Sequence, residues 1–323
     1  MRLLFWAAVA LALALAGCGG GGGGSRAGGA GERVSLMLDF FPNADHAGIY
    51  AAQAGGHFAG EGLDVRIRAP SDPSVPLKLL AAGKADLAVS YEPELLRARD
   101  KGLPVVAVAA LVRVPLTSIV SLPRAGVRSA ADLRGKTVGT AGIDYQSAYL
   151  RAIAPPGVRE RNVGFDLVPA LLTGKVDAVL GAFWNYEAIQ LRQQGRAPRV
   201  IRMEQAGVPT YDELVIAASE SDVRDRPGRI RRFLAALAKG TLDLARKPGD
   251  ALLAANRDLD PKLQTAAIKA TLPYFRPRPG KPYGYMDPGE WAAFTTFMHS
   301  NGLLKLSSPR GAFTNALLPP AGG

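Results

Sequence analysis

From position 34 onward the chain alternates short apolar runs with amphipathic stretches. The run 34–38 reads as a strand and 47–54 as a helix. Gly62 marks a turn before 63–67, whose polar and apolar residues alternate with the period of a strand. Positions 73–82 predict a helix with proline near its first turn, 85–90 a strand, and 94–101 a helix. Strands follow over 105–111 and 118–122, then strand 137–140 and helices 146–153 and 167–172. Strand 177–181, helix 187–194 and strand 213–218 continue the rhythm, and from Arg229 the pattern is mostly helical. Strands alternating with helices predict an α/β architecture with mostly parallel sheets.

Positions 79–89, Leu-Leu-Ala-Ala-Gly-Lys-Ala-Asp-Leu-Ala-Val, are echoed at 170–180, Ala-Leu-Leu-Thr-Gly-Lys-Val-Asp-Ala-Val-Leu. Each copy reads as a helix end, a glycine that takes the left-handed position after it, Lys, Asp and an apolar strand. The distance from Gly83 to Gly174 is too long for a solenoid repeat and suits two similar lobes.

Ligands of open α/β sheets bind beyond the carboxyl ends of the strands, so the residues after each strand are the candidates. The first strand is followed by Asp39, Phe40 and Asn43, and the strand 85–90 by Tyr91 and Glu92. Tyr145 follows 137–140, and Trp184, Asn185, Tyr186 and Glu187 follow 177–181. Aromatic rings mixed with carboxylates and amides suit a flat, polar small molecule held between two lobes. Tyr91 and Trp184 are candidate stacking platforms, with Tyr211 a further aromatic candidate, although aromatic residues near strand ends also serve as core. Asp39 and Asn43 offer hydrogen bonds, and Asn43 reads equally as a turn residue after Pro42. His46 reads either as a cap on the site or as a half-buried structural histidine, and Glu92 either as a ligand contact or as a helix N-terminal residue.

Charge and composition exclude other classes. Lys plus Arg number 39 against 28 Asp plus Glu, a net charge of +11, but the basic residues are scattered and no nucleic-acid motif accompanies them. Arg224, Arg226, Arg229, Arg231 and Arg232 form one cluster, read mainly as a solvated helix face. There are three histidines and one cysteine, none in a metal-hydrolase or structural-zinc spacing, so no metal and no cofactor are expected. Gly135-Lys136-Thr137 lacks the upstream glycine of a phosphate-binding loop, which is Ala130 here.

The first residues read as an address. Arg2, the apolar run 3–16 and Leu15-Ala16-Gly17-Cys18 resemble a bacterial lipoprotein signal, with Cys18 the acylated residue. Residues 1–17 are the expected signal peptide. Residues 18–32, which hold six consecutive glycines, are the expected tether, a flexible coil reaching roughly 20 Å. The globular body is expected outside the cytoplasmic membrane, anchored through Cys18.

The segment Asp39-Phe-Phe-Pro-Asn-Ala-Asp-His46-Ala-Gly-Ile-Tyr50 resembles a block of the NMT1/THI5-like family of periplasmic-type binding proteins. Ser71 through Asp86 and Ser90-Tyr-Glu-Pro93 continue the resemblance. Trp184-Asn-Tyr-Glu187 and Gly207-Val-Pro-Thr-Tyr-Asp-Glu-Leu214 look like the branch that takes a formylaminopyrimidine, a thiamine precursor. The resemblance covers about residues 33 to 300. It implies a type II periplasmic-binding-protein fold: two α/β lobes, 33–115 plus 218–323 and 116–217, with the ligand cleft between them. It also implies delivery of a small heteroaromatic ligand to an ABC permease and its ATPase by a monomer, with no catalysis. Within the resemblance Glu187 is the residue expected to accept two hydrogen bonds from an aminopyrimidine. A sister branch handles riboflavin or its precursors, and sulfonates are a further ligand class of the family. One departure is Phe40, where the family has Trp: the ring still stacks but lacks the indole N–H. The family also includes a fungal enzyme that builds the thiamine pyrimidine from its own histidine and pyridoxal phosphate. Its cysteine-rich segment has no counterpart here, and residues 90–101 contain no histidine.

Overall fold

The structure, a computed structural model, describes residues 31–321. The expected signal peptide, Cys18 and nearly all of the tether lie outside the described residues. No described helix is long and apolar enough to cross a membrane.

Among the described residues ten strands form two five-stranded sheets. The first holds β1 (Glu32–Met37), β2 (Leu63–Arg68), β3 (Leu87–Ser90) and β4 (Val105–Val112). The second holds β5 (Thr117–Ser121), β6 (Thr137–Thr140), β7 (Arg159–Asn162), β8 (Ala178–Phe183) and β9 (Arg199–Arg202). The last strand, β10 (Leu214–Ser219), returns to the first sheet. The orders are β2-β1-β3-β10-β4 and β7-β6-β8-β5-β9, one plan used twice. In each lobe two parallel pairings are followed by a strand arriving from the other lobe, which enters antiparallel between its neighbours. The sheets are therefore mixed and not mostly parallel: β5 and β10 enter from the opposite lobe and run against their neighbours. β10 belongs wholly to the first sheet, so the return crossing falls before Leu214 and not at 217/218.

Burial explains the strands. β4, Val-Val-Ala-Val-Ala-Ala-Leu-Val, is buried at every position, as is β5. β7, Arg-Glu-Arg-Asn, is exposed throughout; it is an edge strand held by pairing to β6 alone and shows no apolar signal. Behind the first sheet, helix Pro227–Asp243 packs on helix Ala47–Ala54. A Cβ on Gly240 would stand 2.3 Å from the Ala52 backbone nitrogen, so glycine sets the approach of the two helices.

The arginine cluster is not one solvated face. Arg229 is buried and bonded to Asp86 (2.8 Å) and Asp222 (2.9 Å), while Arg232 pairs with Glu32 and Arg224 with Asp225. Arg229 and Arg232 thus join strand and helix ends of the first lobe, while Arg224, Arg226 and Arg231 stay exposed.

Candidate ligand-binding cleft

Between the lobes, the segments following β1, β3, β6 and β8 surround a cavity of about 20 Å³, room for one water. Asp39, Phe40 and Asn43 line it after β1, and Tyr91 after β3. Ala141, Ile143 and Gln146 line it after β6, with Leu167 beside them; Gly181, Phe183, Tyr186 and Glu187 line it from β8. Both lobes thus contribute a buried carboxyl: Asp39 from the first, Glu187 from the second.

Asp39 is held by a short relay. The Asn43 backbone N–H donates to His46 Nδ1 (3.2 Å), which leaves the ring proton on Nε2, and Nε2 donates to Asp39 Oδ1 (2.7 Å). The Tyr91 hydroxyl donates to Asp39 Oδ2 (2.5 Å). Burial, then the Asp39 charge, pushes the Tyr91 hydroxyl well above the usual tyrosine range, so it stays a donor. His46 is fully buried and positions Asp39 from behind, without reaching the cavity.

Glu187 opens helix Glu187–Gln193 and accepts the Phe183 backbone N–H at Oε2 (2.6 Å). Burial pushes its carboxyl up to about 7, against the lowering effect of that hydrogen bond. The Tyr186 hydroxyl accepts from Gln264 Nε2 (2.8 Å). Asn43 lines the cavity, but its side chain caps the following turn: Oδ1 accepts from the Asp45 N–H and Nδ2 donates to the Phe41 carbonyl.

The aromatic wall is Phe40, which packs on Phe41 and Phe165 with centroids 4.6 Å away, and Tyr91, which meets Phe183 at 6.4 Å. Phe183 and Gln146 were not predicted. Phe183 is the last residue of β8, directly before the candidates Trp184 to Glu187. Gln146 carries no sequence signal of its own; its amide sits against Gly181, where a Cβ would stand 2.2 Å from Gln146 Nε2. Gly181 has a φ of +106°, so glycine there admits both the backbone and the amide.

Besides His46, five predicted side chains stand away from the cavity, each for a physical reason. Glu92 turns inward, accepts the Asp212 N–H (2.7 Å) and shares a buried carboxyl pair with Asp212, which also binds the Trp291 indole. Tyr145 is fully buried behind Tyr91, its hydroxyl 3.2 Å from Thr117 Oγ1. Tyr211 donates to Glu213, which also accepts from the backbone N–H groups of Leu116 and Thr117. Trp184 donates to the Pro115 carbonyl (3.0 Å) beneath the Arg202 guanidinium, at the crossing between lobes. Asn185 is spent on Asp45 and Thr271. Among the described residues no group of three His, Cys, Asp or Glu side chains converges as a metal site.

A family model described as NMT1/THI5 like matches residues 43–251. The chain belongs to the NMT1/THI5-like family. It is 38% identical, over 85% of its length and 89% of the relative's, to a Haemophilus influenzae protein named for thiamine biosynthesis. It is 34% identical to the formylaminopyrimidine-binding protein of Halalkalibacterium halodurans, over 85% of this chain and 87% of that one. A riboflavin-binding protein of Chloroflexus aurantiacus is 30% identical over 89% and 86% of the two chains. A pyrimidine phosphate synthase of Schizosaccharomyces pombe is more distant, 24% identical over 67% and 66%. Among solved structures, the alkanesulfonate-binding protein SsuA of Xanthomonas axonopodis matches with a TM-score of 0.66 over 87% of this chain and 98% of that one, at 14% identity. The chain has the periplasmic binding protein fold, and its relatives at 30% identity and above include proteins named for binding small ligands.

Proposed function

We propose that the chain captures a thiamine pyrimidine precursor of the formylaminopyrimidine or hydroxymethylpyrimidine type and delivers it to an ABC permease and its ATPase. In this reading it is a lipoprotein acylated on Cys18, acts as a monomer and catalyses nothing. The observation that carries the ligand class is the pair of buried carboxyls, Asp39 and Glu187, facing the cavity from opposite lobes between aromatic walls. Carboxylate oxygens accept hydrogen bonds, and an aminopyrimidine presents amine donors in the plane of a flat ring. Phe40, Tyr91, Phe183 and Tyr186 would cover its faces. The relative that binds formylaminopyrimidine supports the same reading.

The Asp39 carboxylate speaks against a sulfonate, whose negative charge it would repel. A second reading, riboflavin, rests on the relative of that kind. A cavity with room for one water holds neither ring system, so either ligand enters with the lobes further apart, and the preference for a pyrimidine rests on the two carboxyls. The synthase reading needs a histidine free to react, and the buried His46 ring has both nitrogens engaged.

The test is a tryptophan-fluorescence titration with formylaminopyrimidine, hydroxymethylpyrimidine, riboflavin and an alkanesulfonate. Trp184 lies at the crossing between lobes and reports their movement. Saturable quenching by a pyrimidine, lost in Glu187→Ala, is the expected result. A response to riboflavin alone moves the chain to the second reading.

A further inference from the structure

Asp45 and Asn185 meet across the lobes in a buried contact. Asp45 lies in the turn that follows the cleft residue Asn43, and Asn185 immediately precedes the cleft residues Tyr186 and Glu187. Asn185 Nδ2 donates to Asp45 Oδ1 at 2.8 Å and to Thr271 Oγ1 at 2.6 Å. Thr271, on helix Pro261–Phe275, stands 3.3 Å from the same Asp45 oxygen. The two remaining oxygens of the pair, Asp45 Oδ2 and Asn185 Oδ1, are buried and have no hydrogen-bond partner among the described residues. Both are acceptors, so neither can satisfy the other. A carboxylic acid and a primary amide, by contrast, form a closed pair: amide N–H to one acid oxygen, acid O–H to the amide oxygen.

We propose that Asp45, Asn185 and Thr271 are a latch between the lobes, completed by one proton on Asp45 Oδ2 that is taken from solvent as the cleft closes. The proton forms an O–H bond on Asp45, and that O–H donates to Asn185 Oδ1. No other bond changes. These are positioning residues, since they hold the two cleft segments together without lining the cavity.

The surroundings agree. Burial pushes the Asp45 carboxyl up to about 6, and the charge of Asp39 adds to the rise; His46 and the hydrogen bonds of Asn185 and Thr271 oppose it. From the second lobe Glu187 and Tyr186 also face Asp45. An acid whose pKa is higher in the closed state than in the open one takes up a proton on closing. Closure is then favoured as pH falls through about 6 and weakened above it.

The experiment is small-angle scattering of the purified protein without ligand, from pH 5 to pH 8, for the wild type and Asp45→Asn. An asparagine there carries the donor and acceptor of the protonated acid and completes the pair with no proton. The wild type is expected to expand as pH rises, and Asp45→Asn to stay compact throughout. If that variant does not fold, Asn185→Asp serves instead: two facing carboxyls should make the expansion steeper. A wild-type radius independent of pH overturns the proposal. So does an Asp45→Asn protein that expands like the wild type and loses that response with Glu187→Gln, which places the proton on Glu187. The latch rests on the two-lobe cleft but not on the ligand. A flat pH profile leaves the pyrimidine reading standing, and failure to bind a pyrimidine leaves the latch testable.

Discussion

The Tyr91 hydroxyl donates a 2.5 Å hydrogen bond to Asp39 Oδ2, joining the ends of β3 and β1 beneath the cleft. With His46 on the other oxygen, the carboxylate is fixed from two sides before any ligand arrives. Such prior fixing lowers the ordering cost of binding. Tyr91→Phe keeps the ring and removes the donor, leaving one buried oxygen without its partner. The expected cost is about 1–3 kcal/mol of stability. Affinity for a pyrimidine is expected to fall by roughly tenfold, the equivalent of one such hydrogen bond. Thermal denaturation and calorimetric titration measure both. Unchanged affinity would mean that the Tyr91 hydrogen bond to Asp39 contributes nothing to binding.

Buried carboxyls set the pH dependence of stability. Burial pushes Glu94, Glu187 and Glu213 each up to about 7, from an ordinary value of 4.5. Burial and neighbouring carboxyls raise the Glu92–Asp212 pair as well. A carboxyl with a raised folded-state pKa favours folding in its protonated form. That contribution is complete below the unfolded value and is lost as pH rises through about 7. The thermal midpoint is therefore expected to be higher at pH 5.5 than at pH 8, by several degrees. Glu94→Gln should flatten part of this slope, since Gln keeps the hydrogen bond from Ser90 and does not ionise. A midpoint that rises between those pH values would contradict the expectation.

Sequence and structure agree most closely where one residue does a repeated job. Asp86 Oδ2 accepts the Ser35 N–H and Asp177 Oδ2 the Thr137 N–H, at 2.7 and 2.8 Å, and each backbone N–H returns a bond to the same residue's carbonyl. The Gly-Lys-x-Asp echo is legible because it clamps β3 to β1 in one lobe and β8 to β6 in the other. The antiparallel entry of β5 and β10 was not legible, because a buried strand reads the same in either direction. β7 was missed because an exposed edge needs no apolar residue. In the cleft, the segments after strands could be read, but not the facing of each ring. Trp184 and Glu187 are three positions apart, and the turn between them sends one to the crossing and the other to the cavity.

Gly240 offers a test of the frame behind the cleft. A Cβ there would lie 2.3 Å from Ala52 N and 2.5 Å from its Cα, backbone atoms that cannot rotate aside. In an exposed helix, Gly→Ala stabilises by about 1 kcal/mol. Here overpacking of about 1–3 kcal/mol is set against that gain, and because the clash is with backbone the upper end applies. Gly240→Ala is expected to destabilise the protein, and Gly240→Val more so, measured by denaturant unfolding. Stabilisation by alanine would mean that the helices separate freely.

Glu213 ties the two crossings between lobes. From the return crossing, it accepts the Leu116 and Thr117 N–H groups of the outgoing one at 2.6 and 2.7 Å, the Thr117 hydroxyl at 2.7 Å and the Tyr211 hydroxyl at 3.1 Å. Alanine would strand two buried backbone donors, each costing about 1–3 kcal/mol, so a loss of about 2–6 kcal/mol is expected for Glu213→Ala. Glutamine keeps one accepting oxygen and turns its amide donors toward other donors, so Glu213→Gln should fall between. The distinguishing readout is geometric. If Glu213 fixes the angle between the lobes, Glu213→Gln broadens the distance distribution between labels placed one on each lobe, while the wild type gives a narrow one. An equally narrow distribution in the variant, with stability lost, would make Glu213 a core residue that does not set the lobe angle.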